Sequence, residues 1–269
     1  MSFSINSNLG AVSAYNALAK VTGSTQSAQL RLASQKRINS VSDDTSGYQV
    51  GKELQGKIAV MKGAQGNIGS AKNLLSTAES ALSSINDLLI AIKGKVADAS
   101  DPTKNATSLA DDISALGNEI SSILTNTKFN DTALLSGSTG SGLFTFRTGE
   151  SSTDTLGIQL TDFTSAALGS ITGASSADFA PTTTQVDTLS ADIKSALGAI
   201  GNYNQRLDVK EEYLTAAISN ASASVSRIFD TDMAMEQLNS TKSQVGGQIS
   251  TSMLSQMNQA PSSILSLFR

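Results

Sequence analysis

Residues 61–96 read MKGAQGNIGSAKNLLSTAESALSSINDLLIAIKGKV. Met61, Ala64, Ile68, Ala71, Leu75, Ala78, Leu82, Ile85, Leu89, Ile92 and Val96 recur at alternating steps of three and four, and every one is apolar. Thirty-five residues in ten steps average 3.5 per step, the spacing that keeps one seam of an α-helix turned toward a partner helix. Leu74, Ala81 and Leu88 stand one residue before a seam position and widen the stripe, as a helix inside a bundle requires. At 1.5 Å of rise per residue the helix is about 50 Å long. This stretch predicts a mainly α fold, a long coiled-coil or helical-bundle rod.

Working outward, Asp101-Pro102-Thr103 ends that helix, because proline lacks the amide donor and restricts the residue before it. A shorter seam follows at Leu109, Ile113, Leu116, Ile120 and Ile123, so the two helices are expected to form an antiparallel hairpin. A third seam runs Val186, Leu189, Ile193, Ala196, Ile200, Tyr203, Leu207, Lys210, Leu214, Ala217, Ala221, Ser224 and Ile228. Only Lys210 and Ser224 interrupt it, as seam positions reached by solvent; lysine can bury its stem and keep its ammonium wet. Between the second and third seams, 26 of the 49 residues in 137–185 are Gly, Ser or Thr, a composition that cannot hold a long helix. Leu143–Arg147 and Thr155–Leu160 are β-prone and joined by a polar link containing Gly149, which predicts a small β-hairpin in an otherwise exposed loop.

Both ends carry helical stripes of a different kind. Toward the C-terminus the stripe is Leu238, Thr241, Val245, Ile249, Met253, Met257, Ala260, Ile264 and Leu267; toward the N-terminus it is Ile5, Leu9, Val12, Tyr15 and Ala19. The residues around them are mostly Ser, Asn, Gln and Gly, with very few charges. A helix that faces water normally intersperses Lys and Glu. Each stripe therefore reads as half of an interface that excludes water, and neither helix would be stable alone.

Composition excludes much chemistry. The chain of 269 residues contains no His, Cys or Trp, and 19 Lys+Arg against 23 Asp+Glu leave a net charge of −4. Without Cys there is no disulfide, thiol nucleophile or zinc ribbon, and without His no imidazole base or serine–histidine–aspartate triad. The acidic balance argues against nucleic acid as the main partner. No cofactor site is expected. Asp43-Asp44 lacks the Asp-x-Asp-x-Asp-Gly pattern of a calcium loop, and Gly63, Gly66 and Gly69 lack the Gly-Lys-Ser/Thr of a phosphate loop. Those glycines read instead as small residues that admit a neighbouring helix, and Gly246-Gly247 reads the same way or as a local weak point of its helix. The start has no basic region or apolar core of a secretory signal, and the longest apolar run, Leu88–Ile92, is far short of a membrane span.

Several ordered motifs resemble one family. Gln35-Lys36-Arg37-Ile38-Asn39-Ser40-Val41-Ser42-Asp43-Asp44-Thr45-Ser46-Gly47 is similar to the N-terminal signature of bacterial flagellins. Ser226-Arg227-Ile228-Phe229-Asp230-Thr231-Asp232-Met233-Ala234 and the ending from Asn258 to Arg269 match it too, as do Thr77–Asn86 and Thr127–Asn130. The likeness covers about 1–135 and 186–269, and places the chain as a minimal flagellin without large variable domains. It implies an inner core domain of paired termini (1–40 with 232–269), an outer helical rod domain (41–136 with 186–231), and a β-hairpin and Gly/Ser/Thr-rich loop region at 137–185.

The resemblance further implies function and sites. The chain is expected to be a non-enzymatic, extracellular subunit that self-assembles into the flagellar filament for motility. Its export would run unfolded through the flagellar type III channel, with an export chaperone, the filament cap and the hook–filament junction protein as partners and O-glycans on Ser/Thr. Arg37, Asn39, Asp43, Asp44, Arg227, Asp230 and Asp232 would make interdomain and subunit contacts at the joint, the last two carboxylates beside Arg227. Leu9, Val12, Leu238, Val245, Ile249, Met253, Met257, Ile264 and Leu267 would lie in the filament core. Receptor-binding relatives carry Leu-Gln-Arg-Val-Arg-Glu-Leu where this chain has Leu89-Ile90-Ala91-Ile92-Lys93-Gly94-Lys95, with Asp112 at a second acidic contact. Weak or absent binding to a flagellin-sensing Toll-like receptor follows. Alternatives are a hook–filament junction protein and a secreted coiled-coil adhesin; 49 loop-rich residues are too few for an inserted catalytic domain.

Overall fold

The computed structural model describes residues 8–135, 143–161, 163 and 168–267, the last eight by backbone alone. Among the described residues, six helices and four short strands occur in the order α1 (Leu9–Ser34), α2 (Thr45–Asp98), α3 (Ala106–Asn126), β1 (Lys128–Phe129), β2 (Thr132–Ala133), β3 (Leu143–Arg147), β4 (Thr155–Gln159), α4 (Gly169–Thr172), α5 (Ala180–Phe229) and α6 (Met233–Leu267). Two compact units divide the chain, one of Met1–Gly56 with Asn220–Arg269 and one of Lys57–Ser219. The boundary falls within α2 and α5.

In the Lys57–Ser219 unit the seam of α2 is the core. From Met61 to Ile92 every seam position is buried, Ile68, Leu75, Leu82, Ile85, Leu89 and Ile92 completely, and only Val96 is half-buried. The α5 seam is buried at Val186, Leu189, Ile193, Ala196, Ile200, Leu207 and Leu214, with Lys210 half-buried. Burying each Leu or Ile contributes at most about 1.5–3 kcal/mol. Lys93–Asp187 at 2.6 Å, Lys72 with Asp208 at 2.6 Å and with Glu211, and Gln65–Thr215 at 3.3 Å fix α2 and α5 antiparallel. The two carboxylates hold the Lys72 ammonium pKa above its ordinary value through their hydrogen bonds, but such exposed pairs set register more than stability. Lys95 reaches Asp112 at 2.6 Å as α3 folds back along α2.

Four expectations change. The buried face of α3 is Ala110, Ile113, Gly117, Ile120 and Leu124, while Leu109, Leu116 and Ile123 are half-buried. The face turns by about one residue because Ile171 of α4 packs on Gly117, where a Cβ would stand 2.8 Å from its Cγ2. The loop expected up to Gln185 becomes helix at Ala180. Asp178 accepts from the Ala180 amide at 2.8 Å, and Pro181 sits in the first turn, where no amide is missed. The 137–185 region is also less exposed than its composition suggests, since Leu160, Phe163, Leu168, Ile171 and Thr182 are buried. No described helix of this chain approaches Gly63, Gly66 or Gly69: each lies off the seam, and a Cβ there would meet nothing within 4 Å. The predicted hairpin does form, with Phe144 opposite Ile158 and Phe146 opposite Leu156. β1 and β2 make a second, unforeseen hairpin whose turn residues Asn130 and Asp131 both take positive φ, 48° and 61°.

In the other unit α1 and α6 lie antiparallel. Asn8 caps α1, accepting from the Ala11 amide at 3.0 Å, and donates to the Met257 carbonyl at 2.9 Å. Val21 packs at Gly246 and Gly247, and Arg31 meets Glu236 at 3.8 Å. Gly246-Gly247 therefore does admit a neighbouring helix. Gly51 makes the closest approach of all, since a Cβ there would stand 2.7 Å from Phe229 Cζ and overlap the ring edge. Phe229 is 4% exposed and edge-on to Tyr48 at 6.0 Å. Gly51→Ala is expected to destabilise this unit by about 1–3 kcal/mol, the usual cost of overpacking. Urea denaturation followed by circular dichroism measures it, and an unchanged midpoint would contradict the packing argument.

Candidate functional site

The seam between α1 and α6 is made of small and polar residues. Among the described residues, Ala14 and Ala28 are the buried side chains of α1, and Glu236 and Ser240 those of α6. Small residues let two helices approach closely. Leu18, Val21, Leu32, Leu254 and Met257 are half-buried, and other large apolar side chains turn outward. Leu9 is 79% exposed, Val12 56%, Tyr15 62%, Leu238 66%, Val245 49%, Ile249 55% and Met253 48%. Met257 is half-buried beside Gly10. Ile5 lies outside the described residues, as do the side chains of Ile264 and Leu267. Each stripe thus lies on an outward face of its own helix, and the only described charges of the two helices are Lys20, Arg31, Glu236 and Lys242. An unpaired surface of this kind marks an interaction face.

The joint residues spend their polar groups on backbone. Arg37 donates from Nη2 to the Ile228 carbonyl at 3.0 Å, and its amide donates to the Phe229 carbonyl at 2.6 Å. Asp43 Oδ2 accepts from the amides of Asn39 at 3.0 Å and Ser40 at 2.8 Å and from the Ser40 hydroxyl. Asp44 caps α2 through the Gly47 amide at 2.8 Å, and Asp232 caps α6 through Ala234 and Met235 at 2.9 and 3.1 Å. Asn39 donates to the Lys36 carbonyl, and Asp230 accepts from Ser226 while bridging Lys36 through its backbone. Among the described residues no ion pair joins these carboxylates to Arg227. Gln35, at φ 58°, ends α1 as a left-handed C-cap. The arrangement is a rigid, capped turn.

Backbone hydrogen bonds from Ser40 and Asn39 hold the Asp43 carboxyl below its ordinary value. A depressed carboxyl contributes its stabilisation fully above the unfolded value, about 3.9, and loses it as pH falls through the folded value. The protection of the Asn39 and Ser40 amides, relative to their intrinsic exchange, is expected to fall as pH drops through the lowered Asp43 value, and to be reduced in Asp43→Asn at every pH. Amide exchange read by NMR checks this, and protection independent of both pH and the substitution would contradict it.

In the receptor-helix region, Leu89 is fully buried, whereas Ile90 is 60% exposed beside exposed Ala91. Lys93 is paired with Asp187 and Asp112 with Lys95. Among the described residues no helix is long and apolar enough to cross a membrane.

Comparison with known proteins places this geometry. The family described as the bacterial flagellin N-terminal helical region matches residues 5–139, and the bacterial flagellin C-terminal helical region matches 183–268. Flagellin from Bacillus subtilis (strain 168) is 30% identical over 302 residues, covering 98% of this chain and 99% of the relative. The flagellar filament 33 kDa core protein of Treponema phagedenis is 29% identical over 293 residues, covering 98% and 99%. Among solved structures, a putative flagellar hook-associated protein from Vibrio parahaemolyticus shares the fold, with a TM-score of 0.59 at 15% identity, over 70% of this chain and all of the other.

Proposed function

The chain belongs to the bacterial flagellin family and is a structural subunit of the flagellar filament, and we propose that copies polymerise by burying the outward apolar surface of α1 and α6 against the same helices of their neighbours. The observation that carries this reading is the direction of the stripes. Leu9, Val12, Val245, Ile249 and Met253 are about half or more exposed in the single chain, and only other copies would cover them along a repeating contact. In this reading 1–40 with 232–269 form the filament core and 41–136 with 186–231 its outer layer. The capped turn through Arg37, Asn39, Asp43 and Asp44, with Arg227, Asp230 and Asp232 beside it, contacts adjacent subunits at the joint.

Export follows the same logic. A chain with helices that cannot bury their own apolar face is suited to leave unfolded through the flagellar type III channel, with the export chaperone covering α6 until then. The cap and junction proteins would meet the same surface at the two ends of the polymer. Exposed Ser151, Ser152, Thr153 and Thr155 are available for O-glycans, and the pairing of Lys93 with Asp187 and of Asp112 with Lys95 supports weak or no Toll-like receptor binding. Electron microscopy of polymer grown from purified subunit tests the reading: helical filaments are expected, and a chain that stays monomeric under polymerising conditions with seeds would overturn it.

A further inference from the structure

Four of the chain's six methionines, Met233, Met235, Met253 and Met257, fall on α6. Three are exposed: Met233 at 43%, Met235 at 58% and Met253 at 48%. Met257 is half-buried, with its sulfur facing Gly10 of α1. By contrast Met61 is 5% exposed in the core of the Lys57–Ser219 unit, and Met1 lies outside the described residues. A thioether on a polarizable, unbranched chain adapts to irregular apolar contacts. It is also the side chain on this surface that a mild oxidant can convert into a polar one.

We propose that Met253 and Met257 are oxidation sites through which hydroperoxides switch off the polymerising surface of the free subunit. The inference rests on the reading that neighbouring copies cover this face. The thioether sulfur attacks one peroxide oxygen, the O–O bond breaks, and an S=O bond forms. Sulfur loses two electrons, and the second oxygen leaves as water when hydrogen peroxide is the oxidant. The sulfoxide oxygen is a strong acceptor, and Val245 and Ile249, the two preceding turns of the same stripe, offer it no side-chain donor. Covering it leaves an acceptor without a partner.

The same geometry makes the switch depend on assembly. In the free subunit Met253 is open to solvent, whereas in a polymer that buries the stripe peroxide cannot reach it. Met61 is enclosed in either state, so oxidation of α6 leaves the Lys57–Ser219 core intact. The expected pattern is a subunit that still folds but no longer adds to a growing end.

Purified full-length subunit treated with hydrogen peroxide, mapped by peptide mass spectrometry and assayed by seeded light scattering, tests this. One added oxygen is expected on each of Met253 and Met257, as on exposed Met233 and Met235, and none on Met61, with a critical concentration raised about tenfold or more. Preformed polymer given the same treatment stays unmodified at both positions, and methionine sulfoxide reductases restore assembly to the oxidised subunit. The double variant Met253→Leu, Met257→Leu, close in volume, is expected to have the same critical concentration, whatever its own value, with and without peroxide. Oxidised parent that assembles at the untreated critical concentration would overturn the proposal, as would a double variant inhibited as strongly as the parent. Untreated parent that never polymerises would instead overturn the assembly reading itself, and this proposal with it.

Discussion

Subunits carrying Ile249→Asp are expected to remain unassembled at concentrations where the parent polymerises, while keeping their helical content. Ile249 is 55% exposed between Val245 at 49% and Met253 at 48%, on the side of α6 away from its packed residues Glu236 and Ser240. In the free subunit the new carboxylate is therefore solvated and disturbs no contact with α1. Assembly would strip that water away and set the charge among apolar side chains. Such a group costs several kcal/mol or is forced to protonate. Every 1.4 kcal/mol is a factor of ten in affinity, so the critical concentration rises by about a hundredfold or more. The core of the Lys57–Ser219 unit draws on other residues, and its circular dichroism is expected to match the parent's. Ile249→Leu serves as the control and polymerises normally. A critical concentration unchanged by the Asp variant would mean that this face stays wet in the filament.

The same face shows how unevenly the fold was legible. Along α2 the reading from sequence and the packing agree because large apolar residues recur at one spacing and each converts directly into burial, down to complete enclosure at Ile68, Leu75, Leu82 and Ile85. In α1 and α6 the same periodicity identified an apolar stripe correctly, but not the seam between the helices. That seam includes Ala14, Val21, Ala28, Ser240, Gly246 and Gly247, mostly small residues with a weaker hydrophobic signal than the Leu and Ile of α2. Glycine was the least readable residue. Gly63, Gly66 and Gly69 face open space, whereas Gly51 and Gly117, which no pattern singled out, lie against Phe229 and Ile171. Close approach depends on which residue arrives from a distant segment. The joint was legible as motif but not as chemistry: Asp43, Asp44 and Asp232 bind amides within a few residues of themselves, and an Asp ahead of a helix signals such a cap more directly than it signals an ion pair.

Amide exchange across residues 238–257 is expected to be fast in the free subunit and to slow by about a hundredfold or more in the filament. Among the described residues, α1 buries only Ala14 and Ala28, and α6 only Glu236 and Ser240. A buried methyl contributes about 0.8 kcal/mol, whereas ordering each residue's backbone costs about 1–2 kcal/mol. With so little apolar area between them, the two helices open at low free energy. Polymerisation would add the side chains that the pair leaves outside, Leu238, Val245, Ile249 and Met253 on α6 and Leu9, Val12 and Tyr15 on α1. Covering a few of these raises the opening free energy by about 3 kcal/mol or more, which is the expected hundredfold. Residues 68–92 of α2 supply the internal reference, since their seam is already closed within one chain and their exchange is expected to differ little between the two states. Mass-spectrometric hydrogen exchange on subunit and filament at one pH and temperature makes the comparison. Equal protection of 238–257 in both states would mean that the outward stripe gains no cover on assembly, and the role assigned to Val245, Ile249 and Met253 would fall with it.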